Sequence, residues 1–458
     1  MNDYIENLEG LKEDLLNYIT TRRWYGNKAG LTAGLEIIDS FQIEDFVLAI
    51  FKVKGVSDSM YYVPLFFSKD EFSGRISFFE ENGTGVNVYD AFYFENFAKL
   101  IMRNMEHKTV LKGKDSYIEF QRTNFFQLNE ENNFSVIKTE QSNSSFIIGN
   151  AIVKNYRYLQ FGENPDINMS IKLKENGFAH VPSLKGYMKY VSTDGIIYLC
   201  SAMEYFPKSV DLWSYYNDSL KADMGNFKSN ILDLAADMGT LTGNMCKTLA
   251  SVRGEDFRPE KMAVSELEDV IDDSFRYLDA SREIMRKRNM ELGPLSLDLD
   301  QEKIKKVFNS LFQNEILMKT RVHGDYHLGQ ILLYRNRYYI IDFEGEPVRS
   351  MLERTSKKSP FKDVSGILRS IDYLCSGFSE GVENMSSEII STFLRHYVKI
   401  IGDMNLIPTD NEKISKLLQL FLLQKASYEL LYEINNRPSW MHIPLNALKD
   451  ILESLTVI

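Results

Sequence analysis

Two short runs constrain this 458-residue chain more than anything else in it. Arg321-Val-His323-Gly-Asp325-Tyr-His327-Leu-Gly-Gln330 leads into Ile331-Leu-Leu-Tyr334 and Tyr338-Tyr-Ile-Ile341, and Asp342-Phe-Glu344-Gly-Glu346-Pro347 follows. The two apolar stretches read as strands, with Arg335-Asn336-Arg337 as the polar turn between them. A hairpin here folds Asp342 back beside Gln330, so any fold must hold two carboxylate-rich segments at the open end of one small sheet. Alternation along the second strand predicts Ile340, Asp342 and Glu344 on one face and Ile341 and Phe343 on the other.

That grouping carries a specific chemistry. His323-x-Asp325, with Gln330 five residues after the aspartate, has the spacing of the kinase loop H-x-D-x-x-x-x-N, with Gln replacing the metal-binding Asn as another carbonyl donor. Phosphoryl transfer needs a carboxylate to receive the acceptor hydroxyl's proton and oxygen ligands to hold Mg²⁺ against the nucleotide. Asp325 suits the first task, Gln330 and Asp342 the second, and Asp342 stands where the D-F-G aspartate would. The plain alternative makes the histidines core groups and the acids turn caps. A single H-x-D would fit it; two elements in the right order and separation favour the kinase reading.

Composition narrows the partners. The net charge of −11 leaves no sequence-wide basic field for nucleic acid or anionic lipid. Cys200, Cys246 and Cys375 are odd in number and widely spaced, which argues against a disulfide framework and a zinc site and for a reducing cytoplasm. The start, Met1-Asn-Asp-Tyr, has no basic leader, and no apolar run approaches the roughly 18 residues of a membrane span. A cytoplasmic enzyme without secretion or anchor is expected.

Along the chain, residues 5–22 have helical spacing, and strands follow at 46–53 and 61–67. A helix runs to about residue 105, and strand-like pieces occupy 117–127, 134–140, 145–154 and 186–203. From Val210 onward helical patterns dominate, at 227–250, 262–290, 301–314, 383–402 and 412–435, interrupted by the hairpin. The expected class is α+β and protein-kinase-like, with a mostly β nucleotide lobe and a helical lobe. Met203-Glu204-Tyr205 reads as a hinge where backbone would meet adenine, or as a plain linker. Neither a P-loop nor a G-x-G-x-x-G is present. Gln141-Ser-Asn-Ser144-Ser145, a polar turn entering a strand, can offer hydroxyls and amides to phosphates. Lys154, ending Ile152-Val153-Lys154, matches the strand lysine of V-A-I-K. Taken singly, the first is an ordinary turn and the second a solvated edge lysine.

With these motifs in place, the chain resembles the maltokinases, relatives of the aminoglycoside phosphotransferases. The resemblance spans nearly the whole chain. It includes Arg23-Trp24-Tyr25-Gly26-Asn27-Lys28, Tyr89-Asp90-Ala91, Gln141 to Ser145, Gly162-Glu-Asn164-Pro165-Asp166, the two catalytic runs and Ser359-Pro360-Phe-Lys-Asp363. It closes with Tyr428-Glu429-Leu-Leu-Tyr432-Glu433 and Asn436-Arg437-Pro438-Ser-Trp440. It implies an N-terminal cap subdomain over 1–88, an intermediate β subdomain over 89–206 completing the nucleotide lobe, and a helical lobe over 207–458. It also implies ATP- and Mg²⁺-dependent phosphorylation of maltose at the anomeric hydroxyl for α-glucan synthesis. Because the catalytic motifs report phosphoryl transfer and not the acceptor, the alternatives are a kinase for another sugar or amino sugar such as glucosamine and a non-catalytic binding protein on a kinase fold. A monomer or homodimer is expected. Asp325 would take the proton, Gln330 and Asp342 would hold the metal with Glu344 as an additional ligand, Lys154 would position phosphates, and His323 would orient the loop. Asn168 departs from the family, whose acidic residue there can pair with the strand lysine.

The acceptor side rests on the last long helical pattern. Lys425, Tyr428, Glu429 and Tyr432 recur at helical spacing, placing two rings and a charged pair on one stripe that suits a sugar. Such a stripe is as readily core, and the resemblance favours acceptor binding. Arg437 closes this cleft or ends the helix. Asp363 caps the apolar helix that follows it or supports the catalytic loop, and one carboxylate can do both.

Overall fold

The computed structural model describes residues 4–26, 32–55, 58–81, 83–129, 133–137, 143–297, 299–346, 349–378 and 385–456. It divides into two compact units, one formed by Met1–Ile171 and Pro182–Pro207, the other by Lys172–Val181 and Lys208–Ile458. The structure is α+β and has the kinase-like class expected from sequence.

In the first unit, strands Thr32–Ile43, Phe46–Gly55, Ser59–Ser68, Thr84–Asp90 and Ser77–Glu81 form an antiparallel sheet in that order, with Tyr158–Leu159 added beside Ser59–Ser68. Both faces are covered, so the Phe46–Gly55 strand is apolar on both. Val47, Ala49, Phe51 and Val53 pack with Leu8, Leu11, Leu15 and Trp24. The intervening Phe46, Leu48 and Ile50 pack with the Glu95–His107 helix. Period-two alternation thus splits one strand between two cores.

A second, seven-stranded antiparallel sheet runs in the order Val110–Lys112, Tyr117–Arg122, Leu184–Ser192, Gly195–Glu204, Ala151–Asn155, Ser144–Ile148, Phe134–Ile137. The stretches expected as single strands at 145–154 and 186–203 are each a hairpin, turning at Gly149-Asn150 and Thr193-Asp194. Gly149 has φ of 54°, a left-handed turn at which glycine carries no Cβ penalty.

The second unit is helical around a three-stranded sheet of Val210–Asp211, Ile331–Tyr334 and Arg337–Ile340. Its frame is the Asn411–Asn436 helix, which packs on Ser265–Lys287, Phe361–Ser376 and His442–Thr456. Asp410 starts it by accepting from the Lys413 N–H at 3.0 Å. The Phe227–Ser251 helix packs against Ser386–Ile401 through Gly239, where a Cβ would collide with the Phe393 carbonyl. No described helix is long and apolar enough to cross a membrane, and the three cysteines are buried and free.

Candidate active site

The expected hairpin forms, one residue tighter than the sequence suggests. Tyr334 pairs directly with Arg337, leaving Arg335 and Asn336 as a two-residue turn with φ of 49° and 57°. The second strand stops at Ile340. Asp342 then takes a left-handed φ of 66°, so the alternation predicted through Glu344 does not hold. The carboxylates still converge: Asp342 and Glu344 offer oxygens within 4.8 Å of each other. The Gln330 Nε2 donates to Asp342 Oδ2 at 3.0 Å, which fixes the amide and leaves its carbonyl oxygen as the donor for a cation. Two carboxylates and an amide oxygen are the hard oxygen set that Mg²⁺ accepts.

Upstream, the 321–327 loop is irregular backbone held by side chains. Asp363 is buried and accepts from the His323 N–H at 2.8 Å and the Gly324 N–H at 2.9 Å. Its helix begins at Pro360 without a side-chain cap, so loop support, not capping, is its role. Burial raises its pKa against those hydrogen bonds and His323. The His323 ring lies between Tyr326 and Phe343, its Nε2 donates to the Ile341 carbonyl at 3.0 Å, and its Nδ1 faces the Asp325 N–H at 3.4 Å. His323 therefore ties the 321–327 loop to the turn at Asp342. Gly366 completes the mount: a Cβ there would sit 2.5 Å from the Tyr326 carbonyl, so only glycine lets the helix approach the loop.

Asp325 and the predicted acceptor helix meet. Lys425 Nζ lies 3.5 Å from Asp325 Oδ1, with the two side chains 12% and 27% exposed. Burial would lower the Lys425 pKa, but the carboxylates of Asp325, Glu429 and Glu346 outweigh it and raise it. The Lys425–Glu429 pair expected from spacing is not formed: Glu429 instead accepts from Arg369 Nε at 2.8 Å. Arg437 is bound bidentately by Glu433, at 2.9 and 2.6 Å, and its guanidinium covers the Tyr432 and Trp440 rings. The stripe is not core. Lys425, Tyr428, Glu429, Tyr432 and Arg437 line one cleft of 810 Å³ with Asp325 and His327. Burial pushes the Tyr428 hydroxyl up to about 12 and lowers the pKa of the His327 imidazole.

Sequence reasoning missed several of these residues. Trp213 and Tyr373 form an aromatic wall of the cleft around Trp440, which the sequence already places beside Arg437, with ring separations of 6.5 and 6.2 Å. Asp211 also lines it while capping the helix at Ser214. Glu346 is buried and salt-bridged to Lys362 at 2.8 Å and Arg349 at 3.2 Å, and its pKa falls to about 2. Burial opposes that fall; Lys362 and then Lys425 drive it. Only the Asp-Phe-Glu-Gly-Glu run pointed towards Glu346; nothing local marked the others.

In the first unit, Lys154 is half-buried on Ala151–Asn155, a strand with neighbours on both sides, and is not an edge residue. Ser144 and Ser145 are the first residues of a strand and are buried, not part of an open turn. The Ser144 hydroxyl accepts from Arg157 Nε at 3.0 Å. Gln141 and Ser142 lie outside the described residues, as do Asn27, Lys28 and Pro347. Glu204 ends its strand and caps the Ser183 N–H at 3.2 Å.

No family model matches the sequence. The chain is 25% identical over 338 residues to a glucosamine kinase of Mycolicibacterium smegmatis (strain ATCC 700084 / mc(2)155), covering 70% of this chain and 80% of that one. It is 23% identical over 329 residues to a glucosamine kinase of Streptacidiphilus jiangxiensis, with coverage of 69% and 73%. Among solved structures it superposes on a glucosamine kinase in crystal form B with a TM-score of 0.70 at 20% identity, over 95% of this chain and 97% of that one. The glucosamine kinase complex with glucosamine, ADP and inorganic phosphate gives 0.67 at 20% identity, over 91% and 94%. The chain has a kinase fold. It is a phosphotransferase that uses an alcohol group as acceptor. The resemblance to maltokinases holds at the level of fold and reaction; these relatives give no support to maltose.

Proposed function

We propose that the chain is an ATP- and Mg²⁺-dependent sugar kinase whose acceptor is an amino sugar such as glucosamine. The observation that carries this is the charge of the cleft: Asp211, Asp325, Glu429 and Glu433 face it with Lys425 and Arg437. Since Lys425 pairs with Asp325, Arg437 with Glu433 and Arg369 with Glu429, the Asp211 carboxylate is left without an ion pair among the described residues. An excess of carboxylates in a partly desolvated pocket favours an ammonium group over a neutral sugar. The names of the two curated relatives point the same way.

In this reading Asp325 accepts the proton of the attacking hydroxyl, and Lys425, 3.5 Å away, keeps the carboxylate aimed before the acceptor arrives. Gln330, Asp342 and Glu344 hold the cation, which neutralises phosphate charge when bound. Lys154 binds phosphate, and the backbone at Glu204 meets adenine. Tyr428 and Tyr432 stack on the sugar.

The aromatic wall favours a second reading, phosphorylation of maltose at its anomeric hydroxyl for glycogen synthesis. A cleft of 810 Å³ lies high in the range of about 300–1,000 Å³ typical of small-molecule sites, leaving room for a second ring. An acceptor screen with ATP and Mg²⁺, read by ADP release and NMR of the product, separates the two. A kcat/KM for maltose above that for glucosamine overturns the amino-sugar proposal; activity on neither overturns both.

A further inference from the structure

A second cleft in the helical unit, 490 Å³ in volume, lies against the opposite side of the Glu346 cluster and is lined by Lys319, Arg349, Lys357, Lys358 and Lys362. Most of its charges are neutralised by neighbours. Lys319 pairs with Glu266 at 2.9 Å, Lys357 with Glu260, Lys362 with Glu346 at 2.8 Å, and Arg349 with Glu346, Asp273 and Glu353. Of the acids on its walls, Asp272 is held by Lys305 at 2.6 Å, Asp273 also by Arg276 at 2.5 Å, and Asp269 is exposed. Lys358 is the exception. It is half-buried, its backbone is pinned to Thr320 at 2.8 Å in both directions, and its ammonium has no ion pair among the described residues. Burial lowers its pKa, and the neighbouring Lys362 lowers it further. Lys358 and Lys362 both feel Glu346, which Lys362 and Arg349 already hold, and the other carboxylate near Lys358, Glu353, is paired with Arg349. In a cleft wide enough for a small molecule, Lys358 therefore lacks a counter-charge of its own.

We propose that this cleft is an anion site that takes a phosphate group, free or on a small phosphomonoester, with Lys358 as its principal ligand and Lys362 as the second. An anion there competes with Glu346 for Lys362. Glu346 then carries more uncompensated charge, which strengthens its pull on Lys425 and weakens the Lys425–Asp325 contact. Occupancy therefore slows turnover. Binding at Lys358 is independent of the proposed acceptor; only the effect on turnover rests on the kinase reading.

The test is calorimetric titration of the full chain with inorganic phosphate and with glycerol 3-phosphate, in the presence of a saturating non-hydrolysable ATP analogue. The expected result is one saturable site that Lys358→Met weakens at least 10-fold and Lys358→Arg retains. Without phosphate, the kcat of Lys358→Met should stay within about twofold of wild type. Lys358→Gln serves in its place if Lys358→Met does not fold. Phosphate should also slow the wild type more than the variant. Tighter binding of the ester identifies a phosphomonoester as the natural ligand, and equal or tighter binding of phosphate identifies the free ion. Absence of saturable heat in the wild type, or an unchanged titration in both Lys358→Met and Lys358→Gln, overturns the proposal.

Discussion

Each unit contains a buried or half-buried contact between a cation and an aspartate, and the two are built to opposite ends. Arg157 and Asp90 in the first unit are 0% and 2% exposed and 2.8 Å apart. Their hydrogen-bonding capacity is taken up. Asp90 also accepts from the Tyr18 hydroxyl at 2.7 Å and the Phe92 N–H at 3.0 Å, while Arg157 donates to Ser144 and to the Tyr62 carbonyl. Trp24 and Phe92 seal the guanidinium with their rings. Lys425 and Asp325 in the second unit are longer apart at 3.5 Å, partly exposed, and open onto a cleft. A buried pair in which every polar atom has a partner joins a helix to two sheets, a structural role. A looser pair keeps capacity for a ligand, and that unspent capacity marks the working site.

The comparison can be broken by mutation. The largest effect is expected from Asp325→Asn, which should lower kcat by roughly 10²- to 10⁴-fold, the range for a lost positioned base, with an unchanged melting temperature. Near-normal turnover would remove Asp325 from the proton-accepting role. Arg157→Met should do the reverse, costing about 3–5 kcal/mol of stability by stranding a buried carboxylate, with Asp90→Asn in the same chain restoring part of it. Urea unfolding measures this, and a loss under about 1 kcal/mol would show that Asp90 is not stranded when its partner is gone.

Glu346 sharpens the picture through pH. Its folded pKa of about 2 lies below the ordinary 4.5, so its stabilisation is present above about pH 4.5 and is lost as pH falls towards 2. The loss is on the order of 3 kcal/mol. Glu346→Gln should flatten the acid limb of the stability profile, and an acid limb identical to wild type contradicts the Lys362 and Arg349 contacts. The smallest expected effect is that of Tyr432→Ala, about 0.5–1.5 kcal/mol by analogy with aromatic pairs, or several-fold in the acceptor's KM. Because Tyr432 is 44% exposed, its removal should leave stability nearly unchanged. A stability loss comparable to that of Arg157→Met would return this stripe to the core.

Local spacing determined a good deal. The H-x-D loop, the hairpin, the carboxylates after it and the helical stripe from Lys425 to Tyr432 were all legible, because each depends on residues within about two turns of one another. The five helical patterns read from residue 227 onward lie within three residues of the observed ends, whereas the spacing read over 5–22 is an α-helix only at Lys12–Thr20, after a 3-10 turn at Leu8–Leu11. Other features lay beyond local rules. Whether Lys154 ends an edge or a central strand depends on Gly195–Glu204 pairing beside it, some fifty residues away. Asp363 looks like a helix cap in sequence because nothing local shows that the His323 and Gly324 amides lie against it. The Lys425–Glu429 pair is plausible by spacing alone, yet each residue has a better partner on another element, Asp325 and Arg369. Sequence determined which groups are available and which face of each element they occupy. Tertiary structure alone decided which charges neutralise one another, because that depends on distances across the core and not along the chain.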